Sequence, residues 1–308
     1  MSNILKIEKL SHKYGNTWAI RDINMEISQN GVVGLLGSNG AGKSTTMNIM
    51  CGVLNQTDGH VYINGLDIRE QPELAKREIG FLPQNPPLYT DLTIDEYLTY
   101  CAELRLIEKK KIKGAVEEVK ERCGLTHFST RLIGNLSGGY RQRVGIAQSI
   151  IHKPRLVVMD EPTNGLDPNQ LIEVRKLIRE ISVEHAVLFS SHVMSEVHLL
   201  CSEIVMIEGG RMVFSDTMDA FNNYVQPHSI LMRVENPPRA AGLLQIQGVT
   251  KVEFLNAKEI RIYFDGSAEI TERLIAASVQ QGWRLREISL DKSLLDDTFK
   301  QLSTQPLQ

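Results

Sequence analysis

Residues Gly37, Ser38, Asn39, Gly40, Ala41, Gly42, Lys43, Ser44 and Thr45 carry the densest chemical signal in the 308-residue chain. They spell the complete phosphate-cradling pattern G-x-x-x-x-G-K-[ST]. Glycines let successive N–H groups turn inward onto phosphate oxygens. The Lys43 ammonium can reach the β- and γ-phosphates, and the Ser44 hydroxyl can sit on Mg²⁺. A second cluster, Asp160 and Glu161, ends the apolar run Leu156-Val157-Val158-Met159. A carboxylate at a strand's C-terminal end can reach Mg²⁺ beside such a loop, usually through water, and Asp160 fits that role. Glu161, one residue later, points elsewhere and could polarise an attacking water. A third cluster is Ser137, Gly138 and Gly139. Taken alone this is a flexible helix N-cap; set between the phosphate loop and a carboxylate-ended strand, a serine and two glycines at a helix N-terminus can make a second anion site.

Elements of the right kind surround these residues. Val32 to Leu36 reads as a buried strand before the phosphate loop, and Thr45 to Met50 as the helix after it, its positive end facing the phosphates. Residues 3–33 read as short strands with a turn at Lys13-Tyr14-Gly15-Asn16, and 58–65 as turn, strand, turn. The pattern over 71–150 is mostly helical, with amphipathic stretches at 93–107 and 112–124. Residues 157–159 and 186–189 read as buried strands flanking a helix over 168–184. Two further strands flank Glu208-Gly209-Gly210, a hairpin signal. Residues 222–228 read as a linker dividing a domain at 1–222 from one at 223–308. The second follows strand 229–235, helix 238–246, strands 249–255 and 259–264, helix 268–281 and strand 283–290, a ferredoxin-like β-α-β-β-α-β order. A last amphipathic helix is expected over 292–302. Residues 223–308 hold 10 Lys+Arg and 10 Asp+Glu, so this module is neutral.

Composition narrows the classes. A net charge of −3 argues against a dedicated nucleic-acid binder. The four cysteines are scattered with no C-x-x-C pair, which fits reduced thiols in a cytosolic protein. The N-terminus carries charges where a signal peptide needs an apolar run. No stretch approaches the ~18 apolar residues of a membrane span. Any work at a membrane would use spans supplied by another chain.

The segment Leu136-Ser137-Gly138-Gly139-Tyr140-Arg141-Gln142-Arg143, roughly 20 residues before Asp160, resembles the L-S-G-G-Q signature of ATP-binding-cassette (ABC) proteins. Gln84 in Phe81-Leu82-Pro83-Gln84 resembles the Q-loop glutamine that contacts Mg²⁺ and faces the membrane partner. Asn164-Gly165-Leu166-Asp167 resembles the D-loop at the dimer seam. His192 resembles the switch histidine that contacts the γ-phosphate, and Tyr14 the aromatic that stacks on adenine. The resemblance covers about 1–220. It implies a P-loop NTPase of ABC type, α/β, with an antiparallel β-subdomain and a helical subdomain, followed by the small α+β module. It further implies ATP and Mg²⁺ as cofactors, with Ser44, Gln84 and Asp160 toward the metal. Catalysis would fall to Glu161, His192, Lys43 and Gln84. Two copies would close head to tail, Ser137 and Gly139 of one capping the γ-phosphate held by the other. Tyr140 departs from the commoner Gln, a variant familiar in exporters of drugs and polysaccharides and in gliding motility. The expected protein is the ATPase subunit of a bacterial exporter, cytoplasmic and peripheral at the inner membrane face, with an integral membrane permease as partner and no direct contact with nucleic acid. A soluble ABC ATPase acting on nucleic acid or ribosomes is the alternative, but it would typically show two cassettes or a coiled-coil insertion. A regulatory GTPase would need an N-K-x-D segment, and none is found.

Overall fold

The computed structural model describes residues 3–224, 229–267 and 269–291. The chain divides into two compact units, one ending at Met218 and the next beginning at Asp219. In the first unit, β1 (Leu5–Tyr14) and β2 (Thr17–Ile27) form an antiparallel hairpin. Two long strands thus replace the several short ones expected. Register shifts between Ile7 and Lys13, with Lys9 and Asp22 at positive φ, break the two-residue alternation that would have marked continuous strands. Then β3 (Gly31–Leu36) leads into the phosphate loop and α1 (Lys43–Met50). β4 (Asp58–Ile63) and β5 (Leu66–Asp67) complete an antiparallel sheet ordered β2-β1-β4-β5.

Next come α2 (Pro72–Arg77) and β6 (Ile79–Leu82). A helical region follows: α3 (Ile94–Leu104), α4 (Lys109–Arg122), 3₁₀ turns at Thr126–Phe128 and Ile133–Asn135, and α5 (Gly138–Ile150). β6 is a strand inside the stretch read as mostly helical. It has only four residues, too few for period-2 alternation to stand out between helices. A capping box between Thr93 and Glu96 starts α3. The Lys120 ammonium is buried against Asp95 (2.5 Å), Glu117 (2.9 Å) and Ser129 (3.1 Å), which ties α4 to α3 and to the turn after it.

The chain returns through β7 (Leu156–Met159), α6 (Pro168–Ser182), β8 (Ala186–Ser191), α7 (Met194–Leu200), β9 (Glu203–Glu208) and β10 (Arg211–Thr217), and α8 (Met218–Tyr224) then opens the second unit. These strands join β3 and β6 in a mixed sheet ordered β10-β9-β3-β8-β7-β6. β9, β3, β8, β7 and β6 run parallel; only β10 is antiparallel. β7 and β8 are buried along their whole length, as a parallel strand covered on both faces must be.

The second unit contains β11 (Ser229–Val234), α9 (Ala240–Leu244), β12 (Val249–Phe254), β13 (Glu259–Phe264), α10 (Ile270–Gln280) and β14 (Leu285–Leu290). Its antiparallel sheet runs β12-β13-β11-β14, the ferredoxin-like arrangement. Ile230, Met232, Val234, Ile260, Ile262 and Phe264 share its core with Leu243, Ile270, Leu274 and Trp283. The first three residues of the expected linker lie in α8; the rest of it, and the helix expected over 292–302, fall outside the described residues.

Candidate active site

Parallel strands in register end at one edge of the mixed sheet, so loops far apart in sequence meet there. β3 ends in the phosphate loop, β6 two residues before Gln84, β7 at Asp160 and β8 just before His192. Between them lies a cleft of about 530 Å³ lined by Asn39, Gly40, Gly42, Lys43, Ser44, Thr45, Gln84, Glu161, Asn164 and His192, with Ala19 at its rim.

The phosphate loop is held by its neighbours. Gly42 sits at φ +109°, and a Cβ there would come within 2.5 Å of Ile20 Cγ2, so only glycine fits. The Lys43 ammonium is buried and donates to the carbonyls of Gly37 (2.8 Å) and Ser38 (3.1 Å). Burial pushes its pKa down, while the carboxylates of Glu161, Asp160 and Glu208 push back. Glu208, at the end of β9, accepts from both the Ser38 hydroxyl (2.7 Å) and the Ser38 N–H (3.2 Å). Among the described residues, no backbone carbonyl pairs with the N–H groups of Asn39, Gly40 or Gly42. With Lys43 and the N-terminus of α1 they form a cradle of donors, which fits the phosphates of a nucleotide.

The facing wall is built from the β7 and β8 loops. Glu161 is nearly buried; its Oε1 lies 3.0 Å from His192 Nδ1 and 3.9 Å from Lys43 Nζ. Its Oε2 accepts from Gln84 (3.3 Å) and Asn164 (3.4 Å). Its backbone is at φ +47°, a conformation that costs a bulky residue free energy and is held only by surrounding contacts. One such contact comes from Ser190. Its hydroxyl accepts from the Glu161 N–H at 2.8 Å and donates to Asp160 Oδ1 at 2.6 Å. Asp160 is buried and does not itself line the cleft. Ser44, Gln84 and Asp160 are hard oxygen donors, the chemistry Mg²⁺ takes when phosphates and water supply its remaining ligands.

Other expected site residues lie elsewhere. Tyr14 is 55 % exposed at the end of β1, its ring edge-on to His12 at 4.7 Å, and is not part of the cleft wall. Ser137 is the N-cap residue of α5 but makes no side-chain capping bond, so its hydroxyl is not spent on the helix. Gly138 and Gly139 open that helix, and none of the three lines the cleft. Asp167 caps α6, accepting from the N–H groups of Asn169 and Gln170, both at 3.0 Å. Ser190 and Glu208 were not singled out from the sequence. A lone serine in a strand and a lone glutamate before a hairpin carry no spacing signal.

This fold and loop define a P-loop nucleotide-binding protein. The family profile described as "ABC transporter" matches residues 20–164. The ABC transporter ATP-binding protein YxlF of Bacillus subtilis is 34 % identical over 75 % of this chain and 77 % of its own. The bacitracin transport ATP-binding protein BcrA of Bacillus licheniformis is 29 % identical over 98 % of both. Among solved structures, cbiO1 from Clostridium perfringens, part of the ABC transporter complex cbiONQ, superposes with a TM-score of 0.66 at 28 % identity over 73 % of this chain and 92 % of that one. The chain belongs to the ABC transporter family as an ATP-binding subunit, an ATPase coupled to transport. Among the described residues, no helix is long and apolar enough to cross a membrane.

Proposed function

We propose that this subunit drives export through a separate membrane permease by ATP-dependent pairing of two copies. The observation that carries the catalytic part is the placement of Glu161. Its carboxylate stands on the cleft wall facing Lys43, held by His192, Gln84 and Asn164. Lys43 and the loop amides bind the β- and γ-phosphates of ATP, and Tyr14 stacks on the adenine. Ser44, Gln84 and Asp160 would hold Mg²⁺, which when bound neutralises charge on the transferring phosphoryl group. Glu161 orients a water in line with that group and takes its proton, and His192 steadies the carboxylate from its other side. Ser137, Gly138, Gly139 and Asp167 lie outside the cleft with backbone or hydroxyl donors available, and they complete the site of the opposite copy.

Export is favoured by the likeness, over 98 % of both chains, to a bacitracin transport ATP-binding protein. Docking of a permease is favoured by an apolar, aromatic surface after Gln84: Tyr89 and Tyr100 contact each other at 5.7 Å, and Leu104 and Leu106 are exposed on the same helical region. Such docking would seat the protein at the inner face of the membrane. The test is Glu161→Gln. Turnover of ATP should fall on the order of 100-fold or more, while ATP binding by equilibrium dialysis stays near the unmodified level. Normal turnover in this variant would overturn the reading of the site.

A further inference from the structure

We infer that Glu196 is a positioning residue for hydrolysis, a buried clamp that sets the spacing between the loop carrying Glu161 and the loop carrying His192. Glu196 lies in α7 and is buried. Its Oε2 accepts from two hydroxyls on different loops. Thr163 Oγ1, two residues after Glu161, donates at 2.5 Å, and Ser191 Oγ, beside His192, donates at 3.2 Å. Thr163 and Ser191 are themselves buried. The Ser191 hydroxyl also accepts from the Val193 N–H at 3.0 Å, so the turn bearing His192 is fixed on both sides. The other oxygen, Oε1, pairs with Arg175 Nη2 of α6 at 3.3 Å, which aims the carboxylate.

None of Thr163, Ser191, Glu196 and Arg175 lines the cleft, and the first three are buried behind it. Yet one carboxylate oxygen bridges the two segments whose side chains meet as the Glu161–His192 pair. In a low-dielectric interior such shared acceptors resist splitting, because separating the loops strands a buried donor. The segment from Thr163 also runs directly into Asn164 and Asp167. Displacement of that stretch by a second copy is therefore transmitted through Glu196 to the turn bearing His192.

This inference rests on the proposed roles of Glu161 and His192, and the experiment separates the two. Single-turnover hydrolysis and ATP affinity are measured on the full chain for Glu196→Gln, Thr163→Val and Thr163→Ser, with Glu161→Gln as reference. Displacing a reacting group by about 1 Å can cost 10²-fold, so Glu196→Gln and Thr163→Val should slow the chemical step on the order of 10- to 100-fold. ATP affinity should stay within about twofold, since interactions made only in the transition state are the ones lost. Thr163→Ser keeps the hydroxyl and should restore most of the rate; a purely packing role would instead be preserved in the isosteric Thr163→Val. In a His192→Ala background, Glu196→Gln should add little, the non-additivity expected of groups acting as one unit. Normal single-turnover rates in Glu196→Gln and Thr163→Val, with Glu161→Gln inactive, would overturn the clamp alone. So would an equal loss in ATP affinity, or a full further loss on top of His192→Ala. An active Glu161→Gln would overturn the site reading and the clamp with it. If Glu196→Gln does not fold, the Thr163 pair decides.

Discussion

Single residues in this site act through what their neighbours leave free. Lys43 is aimed by two carbonyls and partly desolvated, so its charge is poised for phosphate and not spent on a tight ion pair. Lys43→Ala should abolish measurable ATP binding while leaving the circular dichroism spectrum unchanged, because its contacts to Gly37 and Ser38 do not hold the sheet together. Tyr14 is a proposed nucleotide contact outside the cleft wall, and its ring already rests edge-on against His12. Stacking needs the ring alone. Tyr14→Phe should bind ATP as the unmodified protein does, and Tyr14→Ala should lose on the order of 1–3 kcal/mol by titration calorimetry, the scale of a base stacked on an aromatic side chain. Equal losses in both would point to the phenol hydroxyl instead. At this scale the phosphate loop and Asp160-Glu161 were legible in the sequence because residue type and spacing together name the chemistry. Ser190 and Glu208 were not, since each acquires its role only from the residue across the sheet.

Elements position these residues through close approach. Gly80 in β6 packs so tightly under α5 that a Cβ would lie 1.8 Å from the Ser149 carbonyl oxygen. Gln148 of α5 donates to the Phe81 carbonyl at 2.8 Å, locking the same contact. Gly80→Ala must push α5 away from β6, and α5 begins at the signature glycines. We expect a loss on the order of 2 kcal/mol or more in urea unfolding. The same seam contains His152, whose Nε2 bonds the Ile79 carbonyl at 3.0 Å while its Nδ1 is buried without a partner among the described residues. Burial pushes its pKa down from 6.5 to about 4. The unfolded chain then takes up a proton on acidification before the folded one does, so stability present above pH 6.5 is lost as pH falls toward 4. The loss is on the order of 2 kcal/mol after allowance for solvent screening. His152→Gln should flatten the decline in unfolding free energy between pH 7 and pH 5; an unchanged slope would place the decline on other groups. β6 itself escaped the sequence reading because its four residues lie between helices, whereas α3 announced itself by its amphipathic period.

At the scale of the whole molecule, Ser137, Gly138 and Gly139 do not line the cleft of their own chain, and the proposed reaction needs two chains. Glu161→Gln protein with ATP and Mg²⁺ should move from monomer to dimer mass in light scattering, and adding Ser137→Arg to the same chain should return it to monomer. Glu161→Gln that stays monomeric in saturating ATP would remove the two-chain site. The ferredoxin-like order of the second unit was legible in the sequence most clearly at β13, which alternates half-buried and buried residues, and at α10, which buries Ile270, Leu274 and Ser278 four residues apart. The mixed sheet has one more consequence. The loops that line the cleft follow the ends of neighbouring strands held in register, while the long excursion between β6 and β7 leaves and rejoins the sheet at adjacent strands. Chain inserted, lengthened or exchanged within that excursion does not alter the distance between the strand ends. The scaffold thus separates what can diversify from what must stay: the helical region, apart from Gln84 and the turn at Ser137, Gly138 and Gly139, is free to be rewritten for a new membrane partner while the machinery that splits nucleotide is inherited intact.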